Sequence, residues 1–294
     1  MGELEDWLDE IATPAYWREL VPELSVCDAA ATAEPLVRVD DELLTELRSA
    51  MLTEGYFQFE PLIPAPVLAA MAAGVRALHE ASIPLGFAYV YDEFWHLNTW
   101  LAEVLAALLG DEFAQLPDFW AWFVEAGSSG WEPHREKGPE SLLANGYPKS
   151  LSLWVPLTDA TPLNGCMYIV PANLDPGYNG KGDDVGVQRL QDVRALPARA
   201  GSVLMWNQDL LHWGGASSQH APHPRISFSI EYQRGDIRPF NVPLLDPRKP
   251  PPAFEHRLGL AGKQILQYEH LFSRHPTIVT LAHKLLARFS LDDL

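Results

Sequence analysis

Two side chains that could bind a metal ion, His134 and Glu136, stand two positions apart in the sequence. Residues i and i+2 of an extended segment project to the same side, so an imidazole and a carboxylate can reach one ion there without strain. A second imidazole, His212, lies in a strand-like run that ends in Gly214 and Gly215, where a backbone can approach a ligand closely. A lone His-x-Glu pair is typical of a solvated surface. Two imidazoles and one carboxylate, in contrast, form the facial triad that holds ferrous iron and leaves its opposite positions open.

An arginine that could bind a carboxylate follows this triad in the sequence. Arg225 opens a predicted strand, and Ser227 shares its side of that strand. A guanidinium fork with a hydroxyl beside it suits the distal carboxylate of 2-oxoglutarate, whereas an arginine without a ligand is usually exposed. Taken with the triad, the pair favours an iron site at which 2-oxoglutarate chelates the metal and O₂ takes the last position.

The same side chains admit two other interpretations. In the first, they hold Zn²⁺ and activate a water molecule, as in a hydrolase. Arg225 and Ser227 then have no role, and activity would persist without O₂ or 2-oxoglutarate. In the second, the chain is a non-catalytic jelly-roll protein that binds a ligand or partner, and it would not bind ferrous iron.

Other residues near the triad differ in what they indicate. Trp131, Trp206 and Trp213 bracket the triad residues, and we expect them to line an apolar pocket. Arg135 and Lys137 stand beside the ligands, and we expect both to be solvated surface charges.

The elements that must position these residues change in character along the chain. The first fifty residues are predicted to be helical, with a cap at Asp40. A strand over 55–59, a helix from Pro66 and a buried helical stretch over 95–109 follow. Short strands punctuated by Gly and Pro then indicate a sandwich or barrel. The predicted strands are 119–124, 151–157, 166–170, 203–206, 210–213 and 225–232. Residues 173–186 are predicted to form a surface loop that could act as a lid, and helical segments over 263–272 and 277–289 end the chain.

Composition limits the kind of partner. The chain has 294 residues, of which 21 are Lys or Arg and 39 are Asp or Glu, so its formal net charge is −18. Such a charge repels nucleic acid and anionic membranes. The acidic N-terminus, the short apolar runs and the two separated cysteines predict a cytoplasmic protein without membrane spans. We expect a small-molecule substrate; the C-terminal helices could pack on their own core or on a second copy in a homo-oligomer.

The order of motifs along the chain is similar to that of a known family. The matching motifs are His134-x-Glu136, Trp154 to Ala160, Asn164 to Met167, Ala200 to Trp206, His212 and Arg225-x-Ser227. This pattern, which covers residues 53–234, resembles the phytanoyl-CoA dioxygenase-like group of Fe(II)/2-oxoglutarate-dependent oxygenases.

The resemblance implies a fold, a set of cofactors and a reaction. The fold is a mainly β, double-stranded β-helix (jelly-roll) core with N-terminal and C-terminal helices. A single domain over 1–294 would comprise a helical part (1–52), the core (53–235) and a helical tail (236–294). The cofactors are Fe(II), 2-oxoglutarate and O₂, and Trp154 lies beside the 2-oxoglutarate. The implied reaction hydroxylates a C–H bond and releases succinate and CO₂, with no catalytic side chain beyond the metal ligands.

The sequence departs from the family pattern at two places. The acidic ligand is usually Asp, whereas Glu136 stands here. The family's frequent Pro-Gly-Ser-His motif is replaced by Pro171-Ala-Asn-Leu, so substrate contacts from that loop do not carry over. Halogenation is disfavoured, because Glu136 occupies the position that halide would need.

Overall fold

Two antiparallel sheets form the centre of the computed structural model, which describes residues 2–27, 34–180, 187 and 189–294. The strands are β1 (Tyr56–Phe59), β2 (Ala114–Val124), β3 (Ser150–Pro156), β4 (Met167–Val170), β5 (Arg194–Leu196), β6 (Val203–Asn207), β7 (Leu211–Gly214) and β8 (Arg225–Gln233). One sheet has the order β1-β6-β3-β8-β2, and the other has the order β5-β4-β7. The predicted jelly-roll type of core, with antiparallel sheets and flanking helices, is confirmed.

Helices lie on both sides of β1 in sequence, before β2, and again after β8. They are α1 (Gly2–Ile11), α2 (Pro14–Leu20), α3 (Asp41–Thr53), α4 (Ala65–Glu80), α5 (Leu97–Trp100), α6 (Ala102–Leu109), α7 (Phe254–Gln267) and α8 (Pro276–Arg288). The predicted cap of α3 is present: Asp40 Oδ1 accepts a hydrogen bond from the backbone N–H of Leu43 at 2.9 Å. Among the described helices, none is long and apolar enough to cross a bilayer.

The larger sheet is buried on both faces, which explains why every residue of β3 is buried. Leu151, Leu153 and Val155 pack into an apolar cluster formed with the helices. Trp154 points the other way, into a second cluster between the two sheets. Alternate residues of this strand therefore face two different buried clusters, one on each side of the sheet, rather than a core on one side and solvent on the other.

Several element boundaries differ from the predictions. The stretch 95–109 is broken into Asp92–Trp95, a 3-10 turn, followed by α5 and α6. Among the described residues of the N-terminal region, those of α1, α2 and α3 are helical and residues 34–40 are not. β2 begins before the predicted residue 119, and its register shifts between Gln115 and Phe119, next to Pro117, which cannot donate a ladder hydrogen bond. β5 is short and was not predicted.

The C-terminal tail packs on the chain's own core. Its first helix, α7, begins at Phe254 rather than at residue 263, and is followed by the 3-10 turn Glu269–Phe272. Leu258, Ala261 and Ile265 of α7 are fully buried in the cluster that also contains the helix-facing side of β3. The prediction missed this first half because the helix follows directly on a run of prolines.

Replacing Leu258 by Ala should therefore destabilise the whole fold rather than a loosely attached tail. We expect the free energy of unfolding, measured by urea denaturation, to fall by about 2–5 kcal/mol, the cost of a cavity at a buried leucine. The matched control is Leu190→Ala, because Leu190 is 82% exposed; it should change stability by less than about 0.5 kcal/mol. Equal effects of the two variants would contradict the packing of α7.

Candidate functional site

The two histidines of the triad lie on paired backbone segments. The N–H of His134 donates to the carbonyl of His212 at 3.0 Å, and the N–H of His212 donates to the carbonyl of His134 at 3.1 Å. His212 belongs to β7, whereas His134 lies in an irregular segment held against that strand by this isolated pairing. The imidazole rings therefore converge, with centroids 4.4 Å apart.

Each ring is oriented by a backbone carbonyl two residues before it. Nδ1 of His134 lies 2.8 Å from the oxygen of Glu132, and Nδ1 of His212 lies 3.0 Å from that of Leu210. A carbonyl can only accept, so Nδ1 carries the proton in both rings when they are neutral. Nε2 is then left with its lone pair, which is the arrangement that a metal-binding histidine requires.

The Glu136 carboxylate is held by three neighbours through one of its oxygens. Oε1 accepts hydrogen bonds from Ser152 Oγ at 3.0 Å and Trp206 Nε1 at 3.2 Å, and it lies 3.0 Å from His212 Nε2. Oε2 is buried and has no hydrogen-bond partner among the described residues. One ligand atom from each of His134, Glu136 and His212 lies within 4.8 Å of the others. A buried anionic oxygen without a partner, beside two imidazole nitrogens, fits a bound divalent cation.

Electrostatic interactions keep the three groups suited to metal binding. Burial favours the neutral form of Glu136, but His212, His134 and the Ser152 hydroxyl outweigh it and hold the pKa of this carboxyl well below its usual range. Burial and the neighbouring His212 lower the pKa of His134. Burial also acts to lower the pKa of His212, but the adjacent carboxylate raises it overall. The site thus offers a carboxylate and a neutral His134, and a cation must displace at most the proton shared by His212 and Glu136.

A cavity opens in front of the triad, between the two sheets, and encloses about 820 Å³ of space that is partly open to solvent. Both sheets, α7 and the segment after it contribute to its wall. The lining residues are Asp118, Phe119, Trp120, Trp122, Trp131, His134, Glu136, Ser152, Trp154, Met167, Trp206, His212, Gly214, Arg225, Ser229, Glu231, Gln264, Tyr268 and Leu271.

Arg225 is a buried cation on this wall. It is 3% exposed, and none of the described acidic side chains forms an ion pair with it. Its Nη1 donates to Ser227 Oγ at 2.8 Å, and its guanidinium carbon lies 5.7 Å from the Trp154 ring centroid. Its Nε has no hydrogen-bond partner among the described residues. Burial lowers the pKa of Arg225 to about 10, so the group stays charged at neutral pH. Ser227 itself does not line the cavity and instead positions the guanidinium.

The tryptophans named from the sequence fall in different places. Trp131 and Trp206 line the cavity, and so does Trp154. Trp213 does not: its ring stacks on Tyr168, with centroids 5.7 Å apart. Alternation along β7 explains this, because a strand that turns His212 inward turns the next residue outward.

Two charged neighbours of the ligands are not solvated as expected. The Arg135 side chain is 8% exposed and pairs with Asp175 at 2.7 Å; it also donates to the backbone carbonyl of Asp209. Lys137 is 21% exposed and lies 3.1 Å from Glu231. Arg135 thus ties the ligand segment to the chain after β4. Only the first part of the predicted 173–186 loop is described; residues 181–186 lie outside the described ranges.

Some lining residues were missed by sequence reasoning. Ser152 could have been found, since it shares a strand side with Trp154. Asp118, Glu231 and Gln264 carry no local signal, because only the folded sheet and α7 bring them to the same cavity.

Residues 88–225 match the family model described as phytanoyl-CoA dioxygenase (PhyH). Over this region, 138 of the 294 residues, the chain is similar to phytanoyl-CoA dioxygenase. The phytanoyl-CoA dioxygenase-like region contains all three triad residues and ends at Arg225. A comparison with curated proteins found no match.

Solved structures share the fold. The epimerase SnoN, solved in complex with Fe³⁺, alpha ketoglutarate and nogalamycin RO, is 22% identical, with a TM-score of 0.54 over 69% of this chain and 89% of SnoN. EctD from S. alaskensis, in its apo form, is 18% identical, with a TM-score of 0.53 over 75% of this chain and 91% of EctD. The non-heme monooxygenase ThoJ, also apo, is 16% identical, with a TM-score of 0.55 over 81% of this chain and 99% of ThoJ.

The pairing that carries His134 requires glycine at position 130. A Cβ there would lie 2.0 Å from the carbonyl oxygen of Gly214, to which the N–H of Trp131 donates at 2.8 Å. We expect Gly130→Ala to displace the ligand segment and to weaken Co(II) binding, followed by visible absorption, by about 10-fold or more. Gly86→Ala is the control, because its nearest contact would be an ordinary 3.8 Å. If Gly130→Ala bound Co(II) with unchanged affinity, the close approach of residue 130 to the Gly214 backbone would not be needed to position His134.

Glu231 should make stability depend on pH. Burial and the nearby Asp118 raise its pKa to about 8, although Lys137 opposes them, whereas the unfolded chain has a glutamate pKa of about 4.3. Between these values the native state keeps a proton that the unfolded state has lost, so this contribution to stability declines as pH rises through the window. We expect Glu231→Gln to gain stability relative to the unmodified protein between pH 5.5 and 8.5, measured by urea denaturation of metal-free protein. Glu60→Gln, at an exposed site, is the control, and its free energy of unfolding should change with pH as that of the unmodified protein does. If the free energy of unfolding of Glu231→Gln also changed with pH in the same way as that of the unmodified protein, the prediction would be wrong.

Proposed function

We propose that this protein is an Fe(II)/2-oxoglutarate-dependent oxygenase that hydroxylates a C–H bond of a small molecule. His134, Glu136 and His212 are the proposed metal ligands, and Arg225, which Ser227 positions, is the proposed 2-oxoglutarate anchor. One observation carries the proposal: the cavity that contains the triad also contains a buried guanidinium without an acidic partner among the described residues. An unpaired buried cation is costly, and a carboxylate-bearing co-substrate would neutralise it.

The similar solved structures support this choice. SnoN is described as an alpha ketoglutarate dependent epimerase, and ThoJ as a monooxygenase. Their reactions differ, so the shared fold supports the cofactor set more directly than it supports hydroxylation. Hydroxylation is the outcome that we propose for this chain.

When bound, ferrous iron with 2-oxoglutarate and O₂ supplies the oxidation of a substrate C–H bond, with succinate and CO₂ as by-products. The residues of the chain prepare the site for that chemistry. Ser152 and Trp206 fix the Glu136 carboxylate, and the carbonyls of Glu132 and Leu210 fix the two rings. Arg225 would hold the far carboxylate of 2-oxoglutarate beside the Trp154 ring. The aromatic walls exclude water and restrict which C–H bond faces the metal.

The zinc-hydrolase alternative accounts for less of the site. Three ligands and an open cavity would suit a catalytic zinc ion equally well. That alternative leaves Arg225 buried without an acidic partner among the described residues and gives its contact with Ser227 no purpose. A non-catalytic binding protein would likewise not need Glu136 Oε2 to be buried and unpartnered.

The proposal is tested by adding Fe(II) and 2-oxoglutarate to metal-free protein without O₂ and recording the visible spectrum. We expect a weak charge-transfer band that requires both additions and is absent in Glu136→Ala and His212→Ala. In Arg225→Ala the concentration of 2-oxoglutarate needed for half-saturation should rise by about 10-fold or more, since a charge-assisted hydrogen bond contributes about 1.5–3 kcal/mol. The half-saturating concentration for Arg225→Lys should lie between those of the unmodified protein and Arg225→Ala. Lysine keeps the positive charge but cannot form the paired hydrogen bonds of a guanidinium.

Matched controls come from the exposed pair Glu60 and Arg199. Glu60→Ala and Arg199→Ala should leave the band and its 2-oxoglutarate dependence unchanged, and circular dichroism verifies that each variant is folded. Absence of a band in the unmodified protein, with free Fe(II) present, would contradict the proposal that the site binds 2-oxoglutarate together with iron. Succinate release on addition of O₂ would separate an oxygenase from a protein that only binds the two molecules.

A further inference from the structure

The cavity has a second polar region, at the opposite end from Arg225. β8 turns Arg225, Ser229 and Glu231 into the cavity, and each is two or four residues from the next. Because an extended strand rises by about 3.3 Å per residue, Arg225 and Glu231 are about 20 Å apart along the strand. Asp118 and Gln264 line the cavity together with Glu231. This second region has no part in the proposed binding of iron or 2-oxoglutarate.

Two buried acceptor atoms in this region lack a hydrogen bond of acceptable geometry from the described residues. Gln264 is 1% exposed, and its Oε1 has no hydrogen-bond partner among the described residues. Glu231 Oε2 is 3.1 Å from Lys137 Nζ, but it too lacks a hydrogen bond of acceptable geometry. A buried acceptor without a donor is unfavourable. Both therefore suit a ligand that presents hydrogen-bond donors.

Charges of both signs surround these acceptors. Asp118 is a carboxylate, whereas Glu231 keeps its proton at neutral pH because burial raises its pKa to about 8. Lys137 contacts both side chains, and Lys263 donates to Asn241, which in turn donates to Asp118. A substrate ammonium group would approach the lysines, and a substrate carboxylate would approach Asp118. A neutral donor, such as a hydroxyl group, avoids both repulsions.

Flat aromatic side chains stand beside the acceptors. Trp120 and Trp122 project from β2 into the cavity, and Tyr268 follows α7. The Trp120 ring lies 5.5 Å from that of Tyr268 and 6.1 Å from that of Trp122, centroid to centroid. In the register of the sheet, Trp120 is opposite Ser229. Apolar ring faces next to hydrogen-bond acceptors match a saturated ring that has C–H groups on its face and hydroxyl groups at its edge.

We propose that the substrate carries a neutral, polyhydroxylated saturated ring, such as a saccharide or cyclitol unit, and that this end of the cavity binds it. Gln264 and Glu231 accept hydrogen bonds from the ring hydroxyls, and Trp120, Trp122 and Tyr268 pack against its C–H face. The proposal rests on the proposed function, since it names the substrate class of the same site.

The test measures binding without turnover, with protein loaded with Fe(II) and 2-oxoglutarate in the absence of O₂. The probes are three compounds on one ring: methyl β-glucopyranoside (neutral), its 2-amino-2-deoxy analogue (cationic) and the methyl glucuronide (anionic). Dissociation constants come from tryptophan fluorescence and saturation-transfer NMR. We expect the neutral probe to bind at least about 10-fold more tightly than either charged probe, with a Kd below about 10 mM.

Variants locate the binding. Gln264→Leu and Trp122→Leu should each weaken the neutral probe by about 3- to 10-fold, without changing the half-saturating 2-oxoglutarate concentration of the charge-transfer band. Gln191→Leu and Trp7→Leu are the matched controls, since Gln191 is exposed and neither residue lines the cavity. The unchanged band shows that a variant is folded, so a failed fold cannot be mistaken for lost binding.

Three outcomes would overturn the proposal: tighter binding of a charged probe, no binding of any probe below about 10 mM, or equal weakening by the control variants. The experiment distinguishes failure of this substrate proposal from failure of the proposed oxygenase function. A normal charge-transfer band without probe binding would reject only the polyhydroxylated ring. Selective binding of the neutral probe by metal-free protein, with no band after Fe(II) and 2-oxoglutarate are added, would reject only the oxygenase.

Discussion

The reciprocal backbone hydrogen bonds between His134 and His212 are the interaction on which the rest of the site depends. They attach an irregular segment to β7 and so hold the two imidazole rings together, with centroids 4.4 Å apart. The close approach is permitted by Gly130, where any side chain would meet the backbone of Gly214. Arg135 strengthens the attachment by pairing with Asp175, whose carboxylate is almost fully buried. The triad, the cavity wall and the chain after β4 are therefore parts of one connected structure.

A site residue could be predicted from the sequence where the pattern that indicates it spans only a few neighbouring residues. His134 and Glu136 were identifiable because their spacing is two residues, and Arg225 because it begins a strand. The inward side of Ser152 and the outward side of Trp213 followed from strand alternation and could have been predicted in the same way. Arg135 was misjudged, because its partners Asp175 and Asp209 are distant in sequence and only the fold brings them to it. For the same reason Glu231 and Gln264 were not identified.

The fold was predictable at the level of element type and less so at the level of boundaries. The strands that carry the site were all predicted, because short apolar runs between glycines and prolines mark them. The long helical stretch before β2 was wrong in detail, since a buried segment that is apolar on all sides gives no periodicity by which to place a break. Burial of both faces of the larger sheet also blurred the contrast between core and surface on which strand prediction relies.

The position of β8 between two other strands has a consequence for substrate selection. β8 pairs with β2 on one side and with β3 on the other, along nearly its whole length. Its backbone cannot shorten, lengthen or slide without breaking hydrogen bonds on both sides at once. The spacing between Arg225 and Glu231 along the strand is therefore fixed. The wall that β8 contributes to the cavity is thus a rigid frame, against which a bound molecule must fit without adjustment of the strand.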